Sequence, residues 1–275
     1  MLGVGAVDLW AAGRIFRGMT RPATYLALIS MTLPGGAVAL DLQLTNIYAL
    51  NRPASLEYDP AFCGLWIANE GPEAILVTLD GLELRRVRSD LFRIKAIALE
   101  GNDLIVADGG GSFQRLSKSG DVLGAPFRIE GGWADTEGMV VDDAGVIITV
   151  EDDPEYLTWM APDGDILRRI NTMTLEPPLS EAQGIARDPR TGHLLIVDDF
   201  EGSNSLYEFD AEGALLNTES LLPYGIDPEG IAIRPGSNEL FIAFDQGASI
   251  ASFTYTPTLP DSAEPLRPGA DCMMF

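Results

Sequence analysis

The chain carries one histidine, His193, two cysteines, Cys63 and Cys272, and only 18 basic residues against 41 acidic ones in 275. Each shortage removes a class of chemistry. Two cysteines with no second cysteine or histidine beside either cannot hold a zinc ion alone. A formal charge of −23 argues against nucleic acid as a partner, because phosphate backbones are bound by lysine and arginine. There is no H-E-x-x-H and no G-x-S-x-G elbow. The glycine run Gly109–Gly111 before Ser112 lacks the lysine and helix of a phosphate loop and reads as a turn. Long apolar runs are missing too. The run that starts at Ala23 is broken by Pro34, Gly35 and Gly36, too early for a membrane span.

That broken run has another reading. Arg21, the apolar stretch and Ala37-Val38-Ala39 follow the layout of a secretory signal, with a retained anchor or a strand as alternatives. Residues 1–39 are therefore expected to be a signal or anchor segment. The protein is expected to be exported, periplasmic or extracellular. Export permits a disulfide between Cys63 and Cys272, and the sequence leaves open whether they pair. The acidic surplus keeps such a protein soluble and gathers cations, and a plain solvated surface is the simpler account of it.

What the chain has in plenty is repetition. "TEGMVVDDAGVIITVEDD", "AQGIARDPRTGHLLIVDDFEG" and "IDPEGIAIRPGSNELFIAFDQG" are one phrase written three times. Two weaker copies precede them. Aligned, the copies place Ser55, Ala96, Gly138, Gly184 and Gly230 in register, 41 to 46 residues apart. A period in the forties built of short β-branched runs separated by Asp-Pro, Asp-Gly and Glu-Gly turns predicts propeller blades of four strands. The first blade reads "ASLEYDP", "GLWIANE", "AILVTLD" and "LELRRVR". The fifth lacks an outer strand, while "ALDLQLTNIYAL" (Ala39 to Leu50) has no blade of its own. A ring must close to avoid a bare edge. The predicted fold is thus an all-β, five-bladed β-propeller over residues 40–256, closed by the N-terminal strand, with six blades as the alternative. Residues 257–275 form a tail.

The stretch from Arg52 to Gly110 resembles the start of the SdiA-regulated, YjiK-like propellers. The counterparts are Ser55 to Pro60, Leu79 to Arg86, and the later Asp135-Thr136-Glu137-Gly138 and Asp227-Pro228-Glu229-Gly230. The likeness covers most of residues 40–255 and extends more distantly to NHL-repeat and gluconolactonase-type propellers. It implies an exported propeller associated with a cation. Lys95-Ala96 stands where the family phrase has Glu-Gly, which interrupts a full ring of carboxylates.

The start of an inner strand and the end of its neighbour meet at one face. That places Glu137, Gln183 and Glu229 near Glu70, Asp108, Glu151, Asp152, Asp198, Asp199 and Asp245. Converging oxygens suit Ca²⁺. Three roles stay open for them: tying backbone N–H groups between blades, holding a structural or surface cation, or holding a catalytic one. The lactonase-type relatives imply a Glu/Asn/Asp metal set, for which Glu229, Asn69 and Asp199 are the candidates, with Glu137 beside them. His193 falls in a hairpin at the opposite face, which removes a Ser-His-Asp triad. Trp66 reads as core. Trp133, in a loop at the mouth, reads either as a ligand platform or as blade packing. The expectation is a monomer that binds a divalent cation, with calcium the expected ion, and a small ligand or envelope protein at the mouth. The alternative is a metal-dependent hydrolase of lactones or esters.

Overall fold

The computed structural model describes residues 39–50, 52–200, 202–259, 266 and 272. The segment expected to be a signal or anchor lies outside them, except for Ala39. Twenty strands form five four-stranded antiparallel sheets. Among the described residues there are two 3₁₀ turns and no α-helix, and no helix long and apolar enough to cross a membrane.

Four blades are simple meanders, innermost strand first. They are β2–β5 (Ser55–Asp59, Gly64–Ala68, Glu73–Thr78, Glu83–Arg88), β6–β9 (Ala96–Glu100, Asp103–Ala107, Ser112–Ser117, Phe127–Arg128), β10–β13 (Thr136–Val141, Ile147–Glu151, Tyr156–Met160, Ile166–Asn171) and β14–β17 (Ala182–Arg187, Leu194–Asp198, Ser205–Phe209, Leu215–Ser220). The fifth holds β18 (Ile226–Arg234), β19 (Glu239–Gln246) and β20 (Ser249–Thr256), and its outer place is taken by β1 (Asp41–Ala49). β1 pairs with β20 from Asp41↔Thr256 to Ala49↔Ser249. The N-terminal strand closes the ring, and five blades suffice.

Both faces of an inner blade strand are apolar because each blade is sandwiched between two others. Five hydrophobic clusters result, one at each seam. Between the fourth and fifth blades, Leu195, Val197 and Leu206 meet Ile231, Ile242 and Phe253, with Leu42 added from the closing strand and Leu40 from just before it. Trp66 is core, as expected, and its indole N–H donates to Asp59 Oδ2 at 2.9 Å. Cys63, in the hairpin between β2 and β3, is joined to Cys272, with Cα atoms 5.1 Å apart.

The glycines of the repeated phrase have a direct steric cause. A Cβ on Gly138 would lie 2.6 Å from the carbonyl oxygen of Gln183, and one on Gly184 would lie 2.3 Å from that of Glu229. One on Gly230 would lie 2.9 Å from the Leu56 nitrogen. Each inner strand thus runs backbone against backbone with the next, and only glycine leaves room. The neighbour is main chain and cannot swing aside. Gly184→Ala is therefore expected to cost about 2–3 kcal/mol, the upper part of the usual overpacking range. Gly71→Ala, whose Cβ would meet only the Asn69 side chain at 3.2 Å, serves as the control. Urea titration of both variants checks this, and equal midpoints would refute the close-approach account.

Candidate functional site

The same phrase that demands glycine aims the residue before it. In the third, fourth and fifth blades the inner ladder shifts register between Thr136 and Gly138, Ala182 and Ile185, and Pro228 and Ile231. The first two blades, which carry Ser55 and Ala96 instead, pair without a shift. A bulge turns a side chain out of the alternating pattern. Here the residues preceding the five aligned positions, Ala54, Lys95, Glu137, Gln183 and Glu229, all line one cavity of about 300 Å³ at the channel mouth. Arg52, Glu70, Asp135, Asp152 and Asp245 complete its wall.

The acids at the ends of the second strands separate by pleat. Successive residues point to opposite sides of a strand, so Asp152 reaches the mouth while Glu151 turns into its blade. Glu151 is buried, paired with Arg169 at 3.1 Å and bonded by the Thr158 hydroxyl at 2.6 Å. Asp198 likewise turns inward and accepts the backbone N–H groups of Glu181 and Phe200. Asp108 caps its own turn through Gly110 and Ser112. These three serve the blades.

Of the metal candidates, the structure brings Asp199 and Glu229 together and adds Asp227. One carboxylate oxygen from each of the three lies within 4.8 Å of the others, and all three residues are half-buried. Gln183 Nε2 donates to Asp199 Oδ1 at 3.2 Å. Buried Asn204 steadies both sides: its amide donates to the Asp199 carbonyl at 3.0 Å, and its Oδ1 accepts the Asp227 N–H at 3.0 Å. Asp227 has φ of +66°, a conformation sparsely used by non-glycine residues but better tolerated by aspartate. Glu137 lies across the mouth, paired with Lys95, whose ammonium is also 3.6 Å from Asp135. Asn69 is elsewhere. Its Oδ1 accepts the Gly71 N–H at 3.3 Å, and it borders a separate hollow with Ile67 and Arg86. The sequence reading placed Asp227 in the Asp-Pro-Glu-Gly phrase but not among the ligands. Its repetition of the Asp135 position was the available signal.

Burial and mutual repulsion raise the affinities of these groups for protons. Burial first, then the charges of Asp199, Asp227, Glu137 and Asp245, push Glu229 up to about 8. Burial and the nearby Glu181 and Asp227 charges raise Asp199, against the Gln183 hydrogen bond. Glu137 rises to about 7 through burial, a rise that Lys95 opposes. Asp152 rises to about 6 through burial and the Asp135 charge. An arrangement that resists ionisation on its own is one that a cation would relieve.

Around the mouth, the loops that lead into the inner strands expose apolar side chains. Phe92 is 93% and Trp133 61% exposed, with Met173 and Leu222 in the corresponding later loops, Ile226 at the start of β18 and Phe200 beside them. Trp133 does not pack a blade core. Asp199 and Asp227 also border a hollow of about 450 Å³ with Glu181, Asn204, Ile226 and Gln246. At the far face, His193 Nδ1 lies 2.9 Å from buried Glu208, away from the mouth as its hairpin position implied.

No family model and no curated protein matches the chain. Among solved structures, glutaminyl cyclase of Myxococcus xanthus superposes with a TM-score of 0.64 at 13% identity, over 82% of this chain and 100% of that one. The WD40 propeller domain of Doa1 superposes at 0.50 and 13% identity, over 73% of this chain and 63% of that one. Identities this low speak for architecture only: the chain is a five-bladed β-propeller.

Proposed function

We propose that the protein is an exported binding module of the SdiA-regulated, YjiK-like kind, which holds a divalent cation off the channel axis and a small ligand or envelope partner beside it. The observation that carries the reading is the approach of Asp199, Asp227 and Glu229 to within 4.8 Å. Three carboxylates without a thiol or imidazole make a hard, oxygen-only set, which suits Ca²⁺ completed by water or ligand oxygens. Lys95 neutralises the Glu137 side of the mouth, which favours the Asp227 side for the ion. The adjoining hollow and the exposed Trp133 and Phe92 offer the rest of a binding surface.

The test is thermal unfolding in EDTA and then in excess Ca²⁺. At a free concentration about 100 times Kd, linkage supplies about 2.7 kcal/mol, or roughly 5–11 °C for a protein of this size. The shift should shrink at pH 5, where Glu229, raised to about 8, keeps its proton in competition with the ion. Asp227→Asn should remove most of it. No shift at millimolar Ca²⁺, or an equal shift in Asp227→Asn, would overturn the site.

A second reading, metal-dependent hydrolysis of lactones or esters, has one observation in its favour. Across the mouth from the proposed ion, burial raises the Glu137 carboxyl to about 7, the range of a general base or acid near neutrality. It requires turnover that vanishes with chelator and with Glu229→Ala. Simple binding requires none.

A further inference from the structure

The other end of the channel is built differently. There the inner strands enclose a hollow of about 450 Å³, walled by Leu99, Val140, Val141, Ala232 and Ile233. Two residues past the aligned positions, the five blades carry Glu57, Ala98, Val140, Ala186 and Ala232. Four are small or branched apolar residues seated in the seams between blades. The fifth is a half-buried carboxylate on the wall of the hollow. One glutamate among four apolar equivalents is not required by the fold, since the other blades pack at this register without one.

Nor is Glu57 neutralised by its surroundings. Among the described residues it makes no ion pair within 4 Å, and its polar contact is with the Leu99 backbone. Lys118, which acts on Glu57 electrostatically, and the two arginines lining the hollow are already engaged. Lys118 pairs with Asp59 at 2.8 Å, Arg187 with Asp143 at 3.3 Å, and Arg190 with Asp188 at 2.7 Å. Burial, and then the Asp59 charge, push the Glu57 carboxyl up to about 8. A carboxyl in an apolar wall is costly unless something answers it.

We propose that this hollow is a second binding site, distinct from the acidic mouth, for a small amphipathic amine whose apolar body lies on Val140, Val141, Ala232 and Ile233 and whose cationic nitrogen meets Glu57. The volume is in the range of small-molecule pockets, about 300–1,000 Å³, in which an apolar lining supplies affinity and a few polar groups fix orientation. An acid in the same place would be repelled by Glu57, while Arg187 and Arg190 at the rim are already paired with Asp143 and Asp188.

Calorimetric titration with 3-phenylpropylamine, its alcohol and its carboxylic acid analogue tests this. The amine should saturate at one site and bind about tenfold or more tightly than the alcohol, a difference of about 1.4 kcal/mol. The acid should not bind measurably. Glu57→Gln should remove the preference for amine while leaving the alcohol unchanged, with melting followed to show that the variant is folded. Leu99→Lys, which brings an ammonium from the chain itself, should block the amine with Glu57 in place. Asp227→Asn should leave amine binding untouched. Absence of saturable binding, amine binding that survives Glu57→Gln, or loss in Asp227→Asn with Glu57→Gln unaffected would each overturn the proposal. The last would place the amine in the acidic mouth.

Discussion

Deleting residues 39–50 is expected to abolish cooperative unfolding altogether. The closing strand and the residue before it contribute Leu42 and Leu40, both buried in the seam between the fourth and fifth blades. At about 1.5–3 kcal/mol for each fully buried leucine, the pair alone is worth about 3–6 kcal/mol. That is a large share of the roughly 5–15 kcal/mol that holds a typical domain folded. The deletion also strips the β20 ladder of its partner from Asp41↔Thr256 to Ala49↔Ser249 and leaves a long bare edge. Circular dichroism melting should show a broad, non-cooperative transition. A synthetic peptide of residues 39–50 should restore part of it by strand addition. A deletion variant that melts cooperatively at the full-length temperature would mean that the ring does not depend on its closure.

Asp188→Ala is the second large effect, expected to cost about 3–5 kcal/mol. Asp188 is fully buried, Arg190 is 4% exposed, and they pair at 2.7 Å. The Tyr255 hydroxyl of β20 donates to Asp188 and accepts from Arg190 at 2.9 Å, so the triad pins the fourth blade to the fifth. Removing the carboxylate strands a buried guanidinium, which is what makes the loss of one partner expensive. Burial alone would raise the Asp188 carboxyl, but Arg190 and Tyr255 hold it below the usual range. A depressed folded-state value means stability that is present above the ordinary aspartate value, about 3.9, and is lost as pH falls through the folded one. Glu229 and Glu57 have the opposite sign. Each is raised to about 8, so their contribution is full below the ordinary glutamate value, about 4.3, and drains away as pH climbs toward 8. In EDTA the protein should be most stable in mildly acid solution. Melts from pH 3 to 9 check both limbs, and Asp188→Ala should lose the acid limb alone. An unchanged acid limb in that variant would remove Asp188 from the account.

Much of this architecture was legible before any coordinates. The phrase spacing gave five blades because each blade repeats one set of turn dipeptides, and the orphan run before Arg52 was most economically the missing outer strand, with a sixth blade as the alternative. The mouth was legible in outline, since chain direction alone puts Glu137, Gln183 and Glu229 at one face. What the sequence withheld was anything set by side-chain direction. Glu151 and Asp152 are adjacent acids in one motif, yet the pleat sends the first to Arg169 and the second to the cavity. Asn69 fell in a promising place and spends its oxygen on the Gly71 N–H. Asp227 joins the cluster through a bulge and a positive φ, neither of which a pattern of residue types reveals. Nor does a pattern of residue types show what the glycines make room for, which is the main chain of the next strand.

Ala54, Lys95, Glu137, Gln183 and Glu229 occupy one place on five copies of one strand, and no charge type stands in adjacent copies. Where Gly138, Gly184 and Gly230 follow, they satisfy the steric demand of the ring and leave the preceding side chain free to vary. A duplicated unit can then be edited one copy at a time, as a row of switches sharing a single frame. Molecular fivefold likeness is kept in the scaffold and discarded at its mouth, so a bound guest meets a lopsided surface and has one preferred orientation rather than five equivalent ones.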